Sequence, residues 1–217
     1  MAASSSLSGR LLFGTTFDLI LSMATFKIRE KHRLLVRWSH WIHFPVLLIM
    51  LWSGAMIYWA NPAYWPELPE SFYTTLKLNQ RLAEGLAYHF VFMWIFTLNG
   101  LIYVSWLAVS GEWRDLVPSR RVHGKFNRAQ RVAYSGILMI GAISLATGFA
   151  IYKPVQLSWL KELAGGYEFA RFAHYVCAIL FIVFLVVHVI QVTRAGWNNF
   201  RAMVAGYEVV DDNKREN

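Results

Sequence analysis

Four stretches of the chain are apolar over nearly their whole length, and segments rich in proline or charge separate them. The fourth has the plainest pattern. Phe172 to Thr193 reads FAHYVCAILFIVFLVVHVIQVT, with no Asp, Glu, Lys or Arg between Arg171 and Arg194. At about 1.5 Å per residue such a run crosses a hydrocarbon core of roughly 30 Å as a helix. The other three run from about Trp38 to Ala60, Leu86 to Val109 and Val132 to Tyr152. The pattern predicts an all-α fold, an integral membrane four-helix bundle with spans at 38–60, 86–109, 132–152 and 172–193. Pro45, inside the first span, is tolerable because neighbouring helices can compensate in a bundle. The segment from Asn61 to Gly85 holds three prolines and mixed charge, and is long enough for a short surface helix. Gly136, Gly141 and Gly148 in the third span suggest close helix approach. Residues 1–26 read as a leader, mobile or interfacial, or as sequence upstream of a true start at Met23. Residues 27–209 form the four-span domain, and 210–217 a polar tail.

Composition agrees with the pattern. The 217 residues are 56% hydrophobic and 16% charged, which excludes an ordinary soluble domain. The net charge of +8 suggests an anionic partner, and the placement of the basic residues says which. Lys27, Arg29, Lys31, Arg33 and Arg37 precede the first span, Arg114 to Arg131 carries six more between spans two and three, and Arg194 follows span four. They flank apolar runs, so they fit membrane lipid and orientation, not nucleic acid. The other two loops balance their few cations with Glu67, Glu70, Glu84, Glu162 and Glu168. The positive-inside rule therefore puts both termini in the cytoplasm. One cysteine, Cys177, excludes a disulfide framework and a cysteine-ligated zinc site.

The histidines bring in chemistry. His174 and His188 share the fourth span, 14 positions apart. At ~100° per residue they return to within ~40° of one face, on the order of 21 Å apart along the axis. Titratable side chains in a span are costly and usually functional. His40 lies near the cytoplasmic end of span one, level with His188. His89 enters span two from the other side, level with His174. Two level pairs from different helices suit bis-imidazole ligation of two b haems, one imidazole on each face of each porphyrin. The plainer alternative, hydrogen bonding within the bundle, fits one such histidine more easily than four at paired depths. No span contains Asp or Glu, which weighs against a proton pump and against a carboxylate dimetal site. His43 sits three positions from His40 on a similar face, and geometry alone leaves both open as the first-helix ligand.

Arg37-Trp38-Ser39-His40-Trp41 resembles the RxxHW motif that opens the first helix of bacterial dihaem cytochrome b subunits. These include the gamma subunit of formate dehydrogenase and the nickel-hydrogenase and thiosulfate-reductase cytochrome b subunits. That resemblance selects His40 over His43, matches His89 to the second-helix ligand, and matches the step from His174 to His188 to the fourth helix. Gly124-Lys125-Phe126-Asn127-Arg128-Ala129-Gln130-Arg131 is similar to the segment preceding the third helix of the gamma subunits. The run AYSGIL…GFAIYKPVQLSWL…GGYE looks most like the thiosulfate-reductase-type branch, many of whose members accompany periplasmic molybdopterin enzymes. The likeness covers about Lys27 to Val209.

The resemblance implies a multi-pass protein of the bacterial inner membrane with two haem b. It would relay electrons between a periplasmic redox enzyme, of molybdopterin type by this likeness, and quinone, either ubiquinone or menaquinone. The chain would then be an electron-transfer subunit of an oxidoreductase complex, not a catalyst of substrate chemistry alone. By the same likeness quinone binds near the cytoplasmic haem, where Asn127 and Gln130 could bond its carbonyl oxygens; capping the third helix is their plainer role. Arg37 and Arg171 stand at the membrane edges beside the proposed ligands and suit haem propionates, or ordinary interfacial anchoring. The partner would dock on Asn61 to Gly85 and Lys153 to Arg171, with Tyr64, Trp65, Phe72, Tyr73, Leu157 and Trp159 as aromatic and apolar anchors. The alternative is a stand-alone dihaem oxidoreductase passing electrons from a small donor such as superoxide to quinone.

Overall fold

The computed structural model of the protein describes residues 26–64, 69–118 and 128–211. The leader up to residue 25, Trp65, Glu67, Asn127 and the tail from residue 212 lie outside the described residues. Four long helices dominate: α1 (Leu34–Ala60), α3 (Leu82–Ser110), α5 (Arg128–Tyr152) and α7 (Tyr167–Ala195). Short helices lie between or after them, α2 (Glu70–Thr75), α4 (Trp113–Leu116), α6 (Ser158–Leu163) and α8 (Trp197–Ala205). Two strands, β1 (Phe26–Glu30) and β2 (Tyr207–Asp211), stand at the two ends of this order. All four long helices have the length and apolarity to cross a membrane, so the fold is the membrane helical bundle that the apolar pattern predicts. Each helix starts several residues before its apolar run, because a helix, once nucleated, extends through polar residues at little cost.

The chain divides into two compact units, residues 38–190 and the terminal segments 1–37 with 191–217. In the helical unit many large apolar side chains are exposed and several small polar ones are buried. Large apolar residues point outward, as with Leu98, Leu101, Ile102 and Val104 on α3, and Ile182, Val183, Val186 and Val187 on α7. Small and polar residues are inside: Ser39, Ser53, Thr97, Asn99 and Thr147 are buried beside Ala150 and Ala170. Lipid is as apolar as leucine, so burying leucine contributes little there, and close packing with internal hydrogen bonds takes over. The tightest approach is at Gly85, where a Cβ would fall 2.8 Å from Met56 Cβ and 3.2 Å from the Ser53 carbonyl. That joins α1 to α3. Beside it Met56, Tyr73 and Leu78 form a core with Trp52, Ala55 and Trp59 packed on it. Of the third-span glycines, only Gly148 is closely approached; Gly136 and Gly141 have nothing within 4 Å of a would-be Cβ among the described residues. The expectation that all three serve helix packing is thus corrected.

The terminal unit is a two-stranded antiparallel ribbon with α8. Ile28 pairs with Val209 and Arg29 with Glu208. Asn198 of α8 clamps β2 by donating to the Val209 carbonyl (2.9 Å) and accepting from its N–H (3.1 Å). Glu208 is buried, contacting Arg29 and, at 2.7 Å, Lys31 Nζ. Burial opposes its ionisation, but the hydrogen bonds and charges of Lys31 and Arg29 prevail and hold its carboxyl below the usual carboxylate range. The sequence pattern indicates only a basic approach to the first span and a polar tail here; the ribbon is invisible to it because its strands are 5 residues each and pair across the whole chain.

Gly206 ends α8 with φ at +94°, and its carbonyl accepts from the Lys31 N–H at 2.8 Å. A Cβ there would lie 2.7 Å from Arg37 Nη1 and 3.3 Å from the His32 carbonyl. Gly206→Ala is therefore expected to destabilise this unit by at least the ~1–2 kcal/mol of a left-handed non-glycine residue. Hydrogen exchange of the backbone amides from 27 to 30 and 207 to 210 should accelerate. Unchanged protection would contradict this account of the turn.

Candidate functional site

α7 carries two histidines on one face, and each meets a histidine of another helix. His188 lies against His40 of α1, with ring centroids 6.0 Å apart and planes inclined at 53°. His174 lies against His89 of α3, at 6.2 Å and 75°. The four site histidines read from the sequence are thus brought together in the two pairs expected of them. Each is half-buried among helices, none in a loop.

His43 points elsewhere. Its ring packs edge-on against Phe96 of α3 at 4.8 Å, and its Nδ1 contacts the Asn99 side chain and, at 3.1 Å, the Ser39 carbonyl. Asn99 Nδ2 also donates to that carbonyl at 2.9 Å. His43 therefore belongs to a polar clamp between α1 and α3, while His40, one turn earlier, faces α7. The three-residue step separates them by about 300° of helical rotation, enough here to send one ring to each neighbour.

Supporting groups surround the His89/His174 pair. The Ser53 hydroxyl donates to the Met50 carbonyl at 3.1 Å, so its oxygen accepts from His89 Nδ1–H at 3.0 Å. His174 Nδ1 lies 3.0 Å from the Ser144 carbonyl and 3.3 Å from Thr147 Oγ1. Thr147 gives its own proton to the Ile143 carbonyl at 2.7 Å, so it too can only accept. The proton of each ring is thereby assigned to Nδ1, and Nε2 keeps its lone pair. Gly148 makes room for this, since a Cβ there would stand 3.1 Å from His174 Cε1. A Cβ at Gly54 would likewise contact His89 at 3.7 Å. Ser53, Ser144 and Thr147 escaped the sequence reading, which took Gly148 only as a packing residue; their only signal was small or polar residues inside otherwise apolar runs. The pair His40/His188 is built differently. His188 stacks on Phe184 at 5.7 Å and 10°, His40 meets Trp41 edge-on at 5.3 Å, and His40 Nδ1 is buried without a partner among the described residues.

The remaining candidates are more peripheral. Arg171 Nη1 contacts Glu168 at 3.3 Å and its guanidinium lies over the Tyr167 ring at 6.0 Å. Arg37 donates to the Val204 carbonyl, and its Nε is buried without a partner among the described residues. Gln130 is exposed in the first turn of α5; Asn127 lies outside the described residues. Tyr73, read as a docking anchor, is instead 4% exposed in the core beside Met56. It packs inward against Met56 of α1 and Leu78.

Both pairs fit a bis-imidazole iron. An imidazole nitrogen binds a first-row metal at about 2 Å and lies roughly 1.1 Å from its ring centre, so two opposed rings stand ~6.2 Å apart. The observed 6.0 and 6.2 Å meet that value. The Nε2 lone pairs of His89 and His174, and spans that contain no Asp or Glu, agree with the donor chemistry of a b-type haem. Among the described residues no cluster of three or more His, Cys, Asp or Glu suits a bare metal ion.

Comparison with known proteins agrees with this chemistry. The chain is 31% identical over 191 residues to a protein of Azospira oryzae, provisionally named protein-methionine-sulfoxide reductase subunit YedZ1; the match covers 79% of this chain and 94% of that one. The family model of prokaryotic cytochrome b561 matches residues 31–206, which include all four long helices and both histidine pairs. The chain therefore belongs to the prokaryotic cytochrome b561 family, membrane proteins that bind haem b and transfer electrons.

Proposed function

We propose that the chain relays electrons across a bacterial inner membrane between quinone and a periplasmic redox enzyme. One b haem is held by His40 and His188, a second by His89 and His174. The observation that carries this reading is the pairing of four histidines into two opposed couples on a shared helix. Haem supplies reversible one-electron chemistry at iron; the chain supplies position, orientation and an apolar surround. The 14-residue step along α7 sets the two sites on the order of 21 Å apart, which divides a membrane of roughly 30 Å into shorter transfers. The alternating basic and balanced loops place both termini and the His40/His188 pair on the cytoplasmic side.

The relative from Azospira is named as a subunit of a protein-methionine-sulfoxide reductase, which favours a relay with a catalytic partner over a stand-alone oxidase of superoxide. On this reading quinol near the cytoplasmic side is the donor, and a periplasmic reductase of molybdopterin type is the acceptor. Reducing a sulfoxide to a thioether and water takes two electrons and two protons, and one quinol releases two of each, so the balance closes. Gln130, with Asn127 beside it in sequence, is the proposed hydrogen-bonding group for quinone. The docking face lies on α2 and α6, where Phe72 is 38% exposed, Trp159 64% and Leu163 77%.

His174→Ala and His188→Ala should each remove a different haem component from the absorbance spectrum of the purified protein. Loss of the same component in both variants would contradict the two-site arrangement. Reporter fusions after Asp115 and after α7 should behave as cytoplasmic, and fusions near Glu67 or Glu162 as periplasmic. An inverted pattern would exchange the two sides and remove the quinone assignment.

A further inference from the structure

The two histidine pairs differ in what touches their far nitrogens, and that difference has a redox consequence. At His89 and His174 each Nδ1–H is taken by an oxygen of the protein: Ser53 Oγ at 3.0 Å, the Ser144 carbonyl at 3.0 Å and Thr147 Oγ1 at 3.3 Å. Ser53 is fully buried and Thr147 is 5% exposed, so water does not compete for these bonds. Both hydroxyls have already committed their protons to backbone carbonyls, at Met50 and Ile143. That leaves both hydroxyl oxygens to accept from the rings. By contrast, His40 Nδ1 is buried with no partner among the described residues.

A hydrogen bond from the outer N–H of a ligating imidazole fixes its tautomer and ring orientation and raises its basicity. A more basic ligand favours the more positive, oxidised iron and so lowers the reduction potential. We infer that Ser53, Thr147 and the Ser144 carbonyl are positioning groups that orient His89 and His174 and make theirs the lower-potential of the two haem sites. The inference rests on the two-site reading above and goes beyond it by ordering the sites. It also gives α5, the span without a histidine, a role in tuning: its Ser144-Thr147-Gly148 turn holds the His174 ring. Gly148 belongs to the same device, because a side chain there would push the ring off its acceptors.

Potentiometric titration of haem absorbance in the purified full-length holoprotein tests this. The unaltered protein should show two components, and the lower should be the one that His174→Ala removes. Ser53→Ala should shift that component to higher potential and leave the other in place, whereas Ser53→Thr, which keeps the hydroxyl, should restore it. Thr147→Val, close in shape and without the acceptor, should shift it in the same direction. The low-spin electron paramagnetic resonance signal of that component should move with the potential in both variants, a change that a packing role alone would not produce. If Ser53→Ala loses haem, Thr147→Val decides. Two components that both variants leave unmoved, or a higher-potential His89/His174 component, would overturn the inference while sparing the two-site reading. A single component in the unaltered protein would instead contradict that reading, and this inference with it.

Discussion

Hydrocarbon offers no hydrogen bonds, so every polar group within the four long helices must be answered by the protein or by something the protein binds. The imidazoles are the most demanding of these groups, and the bundle is arranged around them. α7 presents two, about 14 residues apart on one face, and α1 and α3 each bring one opposite. The second imidazole on α1, His43, turns its Nδ1 to Ser39 and Asn99. His43 is thus part of a polar clamp between α1 and α3, while the other four rings meet each other in two pairs.

The same constraint explains which residues are inside. Serine, threonine, asparagine and glycine line the helix contacts, and leucine, isoleucine and valine face lipid. Ser53 and Gly85 act at one junction: Gly85 lets α3 approach the Ser53 carbonyl within 3.2 Å of where a Cβ would be, and the Ser53 hydroxyl reaches His89 on the next turn of α3. Thr147 and Gly148 do the equivalent between α5 and α7. Packing and ring orientation are thus performed by neighbouring residues.

Much of this was legible in the chain. Four apolar runs longer than a bilayer core gave the bundle, because in lipid few other architectures satisfy the backbone. The 14-residue histidine step and the level positions of His40 and His89 anticipated both pairs, since α-helix geometry is regular enough to project a face over four turns. The choice between His40 and His43 was not legible from spacing, because two residues three apart differ by one direction of projection that only the neighbouring helices reveal. The supporting groups were also hidden. A serine or threonine in an apolar run has the same sequence signature whether it bonds its own helix or a ring on another. Tyr73 shows the opposite error: an aromatic residue in a polar loop looks like a surface anchor, and the fold of α2 buries it. The β1–β2 ribbon joins segments some 180 residues apart, beyond the reach of any local pattern.

If each opposed imidazole pair holds one haem, the haem content of the intact protein reports it most directly. A pyridine haemochrome assay on purified full-length protein, with polypeptide measured independently, should approach two b haems per chain. A ratio that saturates at one, with all four histidines present, would show that one of the pairs is only a hydrogen-bonded contact and would contradict the account.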